Sequence, residues 1–139
     1  MELMRRRGLL LLALVLVLAA CSAGGGSDEL RTIQVLTSDE LRFDPTEIAV
    51  SAGETVRFEV TNDGQTVHEF LIGDEAAQEE FAAEMAEGGH RATDAGVTVQ
   101  PGETETFEHT FDTGGELLAG CHEPGHYEGG MVASITVGE

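Results

Sequence analysis

Residues 117–131 read LLAGCHEPGHYEGGM and set Cys121, His126 and Met131 at intervals of five residues. A thiolate, an imidazole and a thioether are soft and borderline ligands that suit copper, whereas magnesium and calcium take oxygen. Gly120, Pro124, Gly125, Gly129 and Gly130 fall in the same stretch. Glycine permits positive φ and close backbone approach, and proline fixes φ, so the segment can wrap as a tight loop and aim its three donors at one point. A trigonal copper site also takes a second imidazole from elsewhere in the fold. The best-placed supplier is His68, in the segment TVHEF at 66–70.

The spacing Cys-x4-His-x4-Met, with an upstream His68-Glu69-Phe70, resembles the type 1 (blue) copper proteins, the cupredoxins, of the plastocyanin/azurin-like lipoprotein kind. The resemblance covers residues 33–137. It implies one type 1 copper ion, with His68, Cys121 and His126 in a trigonal plane and Met131 as a long axial ligand. Asn62 matches the asparagine-containing turn that precedes the first histidine in the family. Glu69 departs from it, because several relatives carry a small polar residue there to bond the thiolate.

Residues 1–21 read as a lipoprotein signal peptide. Arg5, Arg6 and Arg7 precede an uncharged apolar run at 8–20, too short for a spanning helix, which needs about 20 residues. The run ends Leu18-Ala19-Ala20-Cys21, which looks like a lipobox; lipid on Cys21 would tether the protein to the outer face of the cytoplasmic membrane, in the periplasm or at the cell surface. An ordinary cleavable signal is the plainer alternative. Residues 22–31 form a Gly/Ser/acidic linker, and 32–139 the folded copper-binding domain. The chain has two cysteines. With Cys21 lipidated, Cys121 has no disulfide partner, and an unpaired cysteine in an exported protein points to reactivity or ligation.

From Cys21 onward, four arginines and no lysine stand against 25 acidic residues, a formal charge near −21. Nucleic-acid binding needs a basic footprint and is excluded. The acidity suits a redox partner with a basic docking face, or simply a solvated surface tolerant of salt.

Alternating apolar residues mark short strands around Ile33 and Val35, at 47–50, 55–61, 66–72, 103–111, 116–121 and 131–137. Val56, Phe58 and Val60 face one way and Arg57 and Glu59 the other, as an antiparallel sheet with one wet face would have. Turn residues punctuate the segments at Asp44-Pro45, Ser51-Ala52-Gly53, Asn62-Asp63-Gly64 and Gly114-Gly115. The expected fold is all-β, a Greek-key sandwich of seven to eight strands. One helix is inserted near 74–87, with Ala77, Phe81 and Met85 as its apolar stripe.

The function that follows is a one-electron carrier, with a copper-binding module for storage, delivery or tolerance as the alternative. Rapid exchange needs a rigid site, and His126, on the loop, should lie nearest solvent. Met85 and His90 could make a second, softer site, or be a packed methionine and a loop histidine. His109 reads as a core-edge residue and His122 as an exposed loop residue. An enzyme is not expected, because multicopper catalysis needs a further histidine cluster and the chain has five histidines in all. A monomer is expected.

Overall fold

The computed structural model describes residues 30–89 and 94–139. Among these residues, nine strands and one helix follow in the order β1 (Arg31–Ser38), β2 (Arg42–Asp44), β3 (Glu47–Ser51), β4 (Glu54–Asn62), β5 (His68–Gly73), α1 (Glu75–Ala86), β6 (Gly96–Val99), β7 (Thr104–Phe111), β8 (Gly115–Gly120) and β9 (Val132–Gly138). They form two layers, a four-stranded sheet ordered β2-β1-β4-β7 and a five-stranded sheet ordered β3-β9-β8-β5-β6. The expected sandwich with one inserted helix is therefore observed, with β2 and β6 as short additional strands. Two pairings depart from a purely antiparallel reading: β1 lies parallel to β4, and β3 parallel to β9. Each of these pairs joins strands well separated in sequence, where no tight hairpin dictates an antiparallel return.

Alternation in β4 does what the sequence predicts. Val56, Phe58 and Val60 are fully buried, while Arg57 between them is exposed. Phe58 sits at the middle of the inter-sheet core, 5.3 Å from the ring of Phe107, 5.5 Å from Phe70 and 6.3 Å from Phe111. β5 behaves differently, because all of His68, Glu69, Phe70, Leu71 and Ile72 are buried. Its outer face is covered by α1.

The helix starts at Asp74, whose carboxylate accepts from the backbone N–H of Ala77, and ends at Gly88 with φ 82°. Its apolar stripe is only half-buried, and its one fully buried residue is polar, Gln78. The Gln78 amide donates to the carbonyls of Leu71 in β5 (3.0 Å) and Leu118 in β8 (3.1 Å). The stripe does not dock the helix alone: Ala77 and Phe81 lie against Gly73 of β5, and a buried amide spanning two strands adds the polar anchor, because buried backbone carbonyls must find donors.

Candidate metal centre

β5 and β8 run antiparallel with Leu71 opposite Gly120. That register carries the start of β5 alongside the chain leaving β8, so His68 and Cys121 meet although 53 positions apart in the sequence. The loop 121–131 then folds back on itself. The Cys121 N–H donates to the Met131 carbonyl (3.2 Å), and the Met131 N–H donates to the His126 carbonyl (3.0 Å). The His126 N–H donates to the Glu123 carbonyl (2.9 Å). Gly125 and Gly130 adopt φ of 83° and 96°, which a side chain would resist, and these let the loop close.

One ligand atom from each of His68, Cys121 and His126 lies within 4.8 Å of the others. The Cys121 Sγ is 3.4 Å from His126 Nδ1, and the two imidazole rings are 5.0 Å apart between centroids. His68, Cys121 and Met131 are fully buried; His126 is half-buried, the ligand nearest solvent, as its loop position predicts. Two features fit a metal of copper's kind. The Nδ1 of His68 is buried without a hydrogen-bonding partner, and Cys121 is a buried free thiol. A buried imidazole nitrogen with nothing to bond is costly unless something outside the chain takes it up, and a nitrogen–sulfur–nitrogen donor set suits copper.

The family model for copper binding proteins, plastocyanin/azurin family, matches residues 31–138. The chain belongs to the plastocyanin/azurin family. Among the relatives of this cupredoxin is the copper-resistant cuproprotein CopI of Rubrivivax gelatinosus, 39% identical over 116 residues, which span 82% of this chain and 70% of the relative. The CopI of Pseudomonas aeruginosa is 34% identical, over 77% of this chain and 76% of the relative. Of solved structures, the dithionite-reduced auracyanin of Roseiflexus castenholzii superposes with a TM-score of 0.68 at 26% identity, over 78% of this chain and 97% of the auracyanin. Auracyanin A of Chloroflexus aurantiacus, a "blue" copper protein, gives 0.65 at 28%, over 76% and 97%. The cluster at His68, Cys121 and His126, with Met131 buried at the loop's end, is consistent with one type 1 copper ion in this cupredoxin.

The protein environment prepares each donor. Burial pushes the Cys121 thiol up to about 11, opposed by backbone N–H donors from Glu69 and Glu123. The Glu69 N–H lies 3.3 Å from Sγ. The sequence departure at Glu69 therefore leaves the thiolate bond intact, since the main chain makes it; the Glu69 side chain is buried and its Oε2 accepts from the His122 N–H (3.2 Å). Burial also lowers the His68 pKa, partly opposed by Asp39, which favours the neutral imidazole that metal binding requires. Asn62 holds the turn before His68, donating to the carbonyls of Thr66 and Val99 and accepting from the Gly64 N–H.

Other sequence expectations resolve as follows. His122 is no ligand, but neither is it exposed. It is buried, its Nε2 lies 2.8 Å from Gln78 Oε1, and its ring stacks on Tyr127 at 4.6 Å. The reason is α1, which covers the residue after the cysteine. His109 lies on β7 against Phe111 (4.7 Å) and joins no metal cluster among the described residues. Met85 is half-buried and lines a cavity with His122, Pro124 and Tyr127; His90, its suggested companion, lies outside the described residues, as does Cys21. Sequence reasoning missed Asp39, whose Oδ1 is 3.3 Å from His68 Nε2. An acidic residue in a surface turn 29 positions upstream carries no signal of that contact.

Proposed function

We propose that this cupredoxin is a copper-tolerance protein that takes up and holds copper outside the cytoplasm, tethered through lipid on Cys21, and that it is not an enzyme. The observation that carries the reading is the 39% identity to a copper-resistant cuproprotein across 82% of the chain, in a fold that brings the nitrogen and sulfur donors together. The alternative of the sequence analysis thereby gains on its main reading. Copper bound at this site supplies a one-electron couple between +1 and +2. The chain's own residues do the rest. Cys121 gives up its proton on loading, so uptake releases a proton and weakens at low pH. His68 would offer its unpartnered Nδ1, and the buried Met131 thioether would be a further donor that tunes the couple. Buried Phe70, Val99 and Ala119 belong to the core that keeps water from the inner side.

Electron transfer is the second reading, favoured by the likeness to a "blue" copper protein at 28% identity. Its partner would be a redox protein with a basic face, matched to the acidic surface. Growth in graded copper separates the two. A strain made copper-sensitive by deletion of its own tolerance protein should regain growth with the wild-type chain and not with Cys121→Ser. Full rescue by Cys121→Ser would sink the tolerance role of the site. Failure of rescue by the wild type, together with rapid electron exchange with a basic cytochrome, would favour the carrier.

A further inference from the structure

The β1–β2 turn at residues 39–41 touches both halves of the metal centre. On one side the Asp39 carboxylate is seated in the turn before β5. Its Oδ2 accepts from the Gln65 N–H (2.7 Å), and its Oδ1 accepts from the Thr66 hydroxyl (2.8 Å) and N–H (3.2 Å). Gly64 lies so close that a Cβ there would collide with the carboxylate, so glycine is what admits it. The same Oδ1 lies 3.3 Å from Nε2 of His68. On the other side Leu41 lies over Gly129 of the ligand loop, where again a Cβ would collide with its side chain. Leu41 adopts φ 56°, the only non-glycine with positive φ among the described residues. Such a conformation persists where its surroundings over-determine it.

We propose that Asp39 is a positioning residue for the copper site, whose carboxylate fixes the proton of His68 on Nε2, leaves Nδ1 as the ligand, and favours Cu(II) over Cu(I). The inference rests on the reading of the site as a type 1 copper centre. The physical chain is short. A neutral imidazole carries one proton, and the nitrogen with an acceptor keeps it. A carboxylate behind a ligating histidine sets the ring's orientation and raises its basicity. Added negative charge stabilises the more positive metal state more than the less positive one. The turn also explains why the carboxylate stays in place, since three donors outside the metal site hold it.

The test uses the full chain and three variants: Asp39→Asn, Asp39→Ala and, as a control for loss of any one surface carboxylate, Glu116→Gln at the far end of β8. Nitrogen-15 NMR of the copper-free protein reads the His68 tautomer, and spectroelectrochemistry of the copper-loaded protein reads the potential. The wild type should show the Nε2–H tautomer alone. Asp39→Asn should keep that tautomer through its amide oxygen, yet raise the potential, equivalent to about a tenfold loss of Cu(II) affinity relative to Cu(I). Asp39→Ala should give a mixture of tautomers, and Glu116→Gln should match the wild type in both. An Nδ1–H tautomer in the wild type overturns the proposal, as does a potential that moves no further in Asp39→Asn than in Glu116→Gln. If the wild type gives no thiolate–copper band at all, the copper reading fails, and the tautomer still decides whether Asp39 holds the ring.

Discussion

Individual side chains at the centre have separable duties. Cys121 supplies the sulfur, and two main-chain N–H groups already point at it. Serine is nearly the same size and can accept from the Glu69 N–H, so Cys121→Ser should fold with little loss, yet give no intense visible band on adding Cu(II). A coloured, thiolate-like spectrum from that variant would show that Cys121 is not the ligand. Met131 is fully buried. Met131→Gln should keep the colour while lowering the reduction potential, and the buried amide should cost about 1–3 kcal/mol in urea unfolding if it finds no partner. Loss of all copper binding in that variant would contradict a weak axial role. Cys121, His126 and Met131 were legible because one loop carries all three. His68 was legible only in combination with them, since a lone histidine in a strand has no distinguishing mark. Asp39 was illegible, because its partner is brought to it by the packing of two turns.

At the scale of elements, one buried amide anchors α1 beside the packing of Ala77 and Phe81 on Gly73. Gln78 donates to β5 and β8 and meets His122 through its carbonyl oxygen. Gln78→Ala leaves two strand carbonyls and a buried imidazole without that partner. The loss should be about 1–3 kcal/mol in urea unfolding, and proteolysis should then begin in the helix. An unchanged midpoint would mean that water or another group takes the amide's place. The copper spectrum should survive, since none of the three clustered ligands touches Gln78. The helix was legible from its alanine and glutamate content and from the Gly88-Gly89 stop. How it docks was legible only in part, because the apolar stripe shows the packing and gives no sign of the hydrogen bonds that Gln78 adds. The full burial of β5 was likewise not legible, because nothing along the strand records that α1 covers its second face.

Over the whole molecule, desolvation disfavours the charged form of three imidazoles. His68, His109 and His122 each have a pKa lowered from the usual 6.5, with desolvation as the largest cause. The unfolded chain therefore takes up protons first. Their contribution to stability is complete above about 6.5 and is lost as pH falls through the lowered folded values. Asp39, held near 2 chiefly by the Gln65 N–H, adds a second loss between about 4 and 2. The urea midpoint of the copper-free protein should accordingly fall on acidification from about pH 7.5 to 5. A flat profile across that range would show that the three rings are not desolvated by the fold. Copper should raise the midpoint at neutral pH by mass action, and a chelator should return it.

What the sequence determined alone was most of the strand pattern, the sandwich class and the candidate donors of the loop, all of which are local: period-two alternation, turn residues, and donors of one chemistry on one short loop. What only the tertiary structure decided was long-range: the parallel pairings of β1 with β4 and β3 with β9, the covering of β5 by α1, and the contact of Asp39 with His68. A pattern along the chain records which face a residue prefers. It does not record which distant carboxylate that face will meet, because the meeting is fixed by the register and packing of elements far apart in sequence.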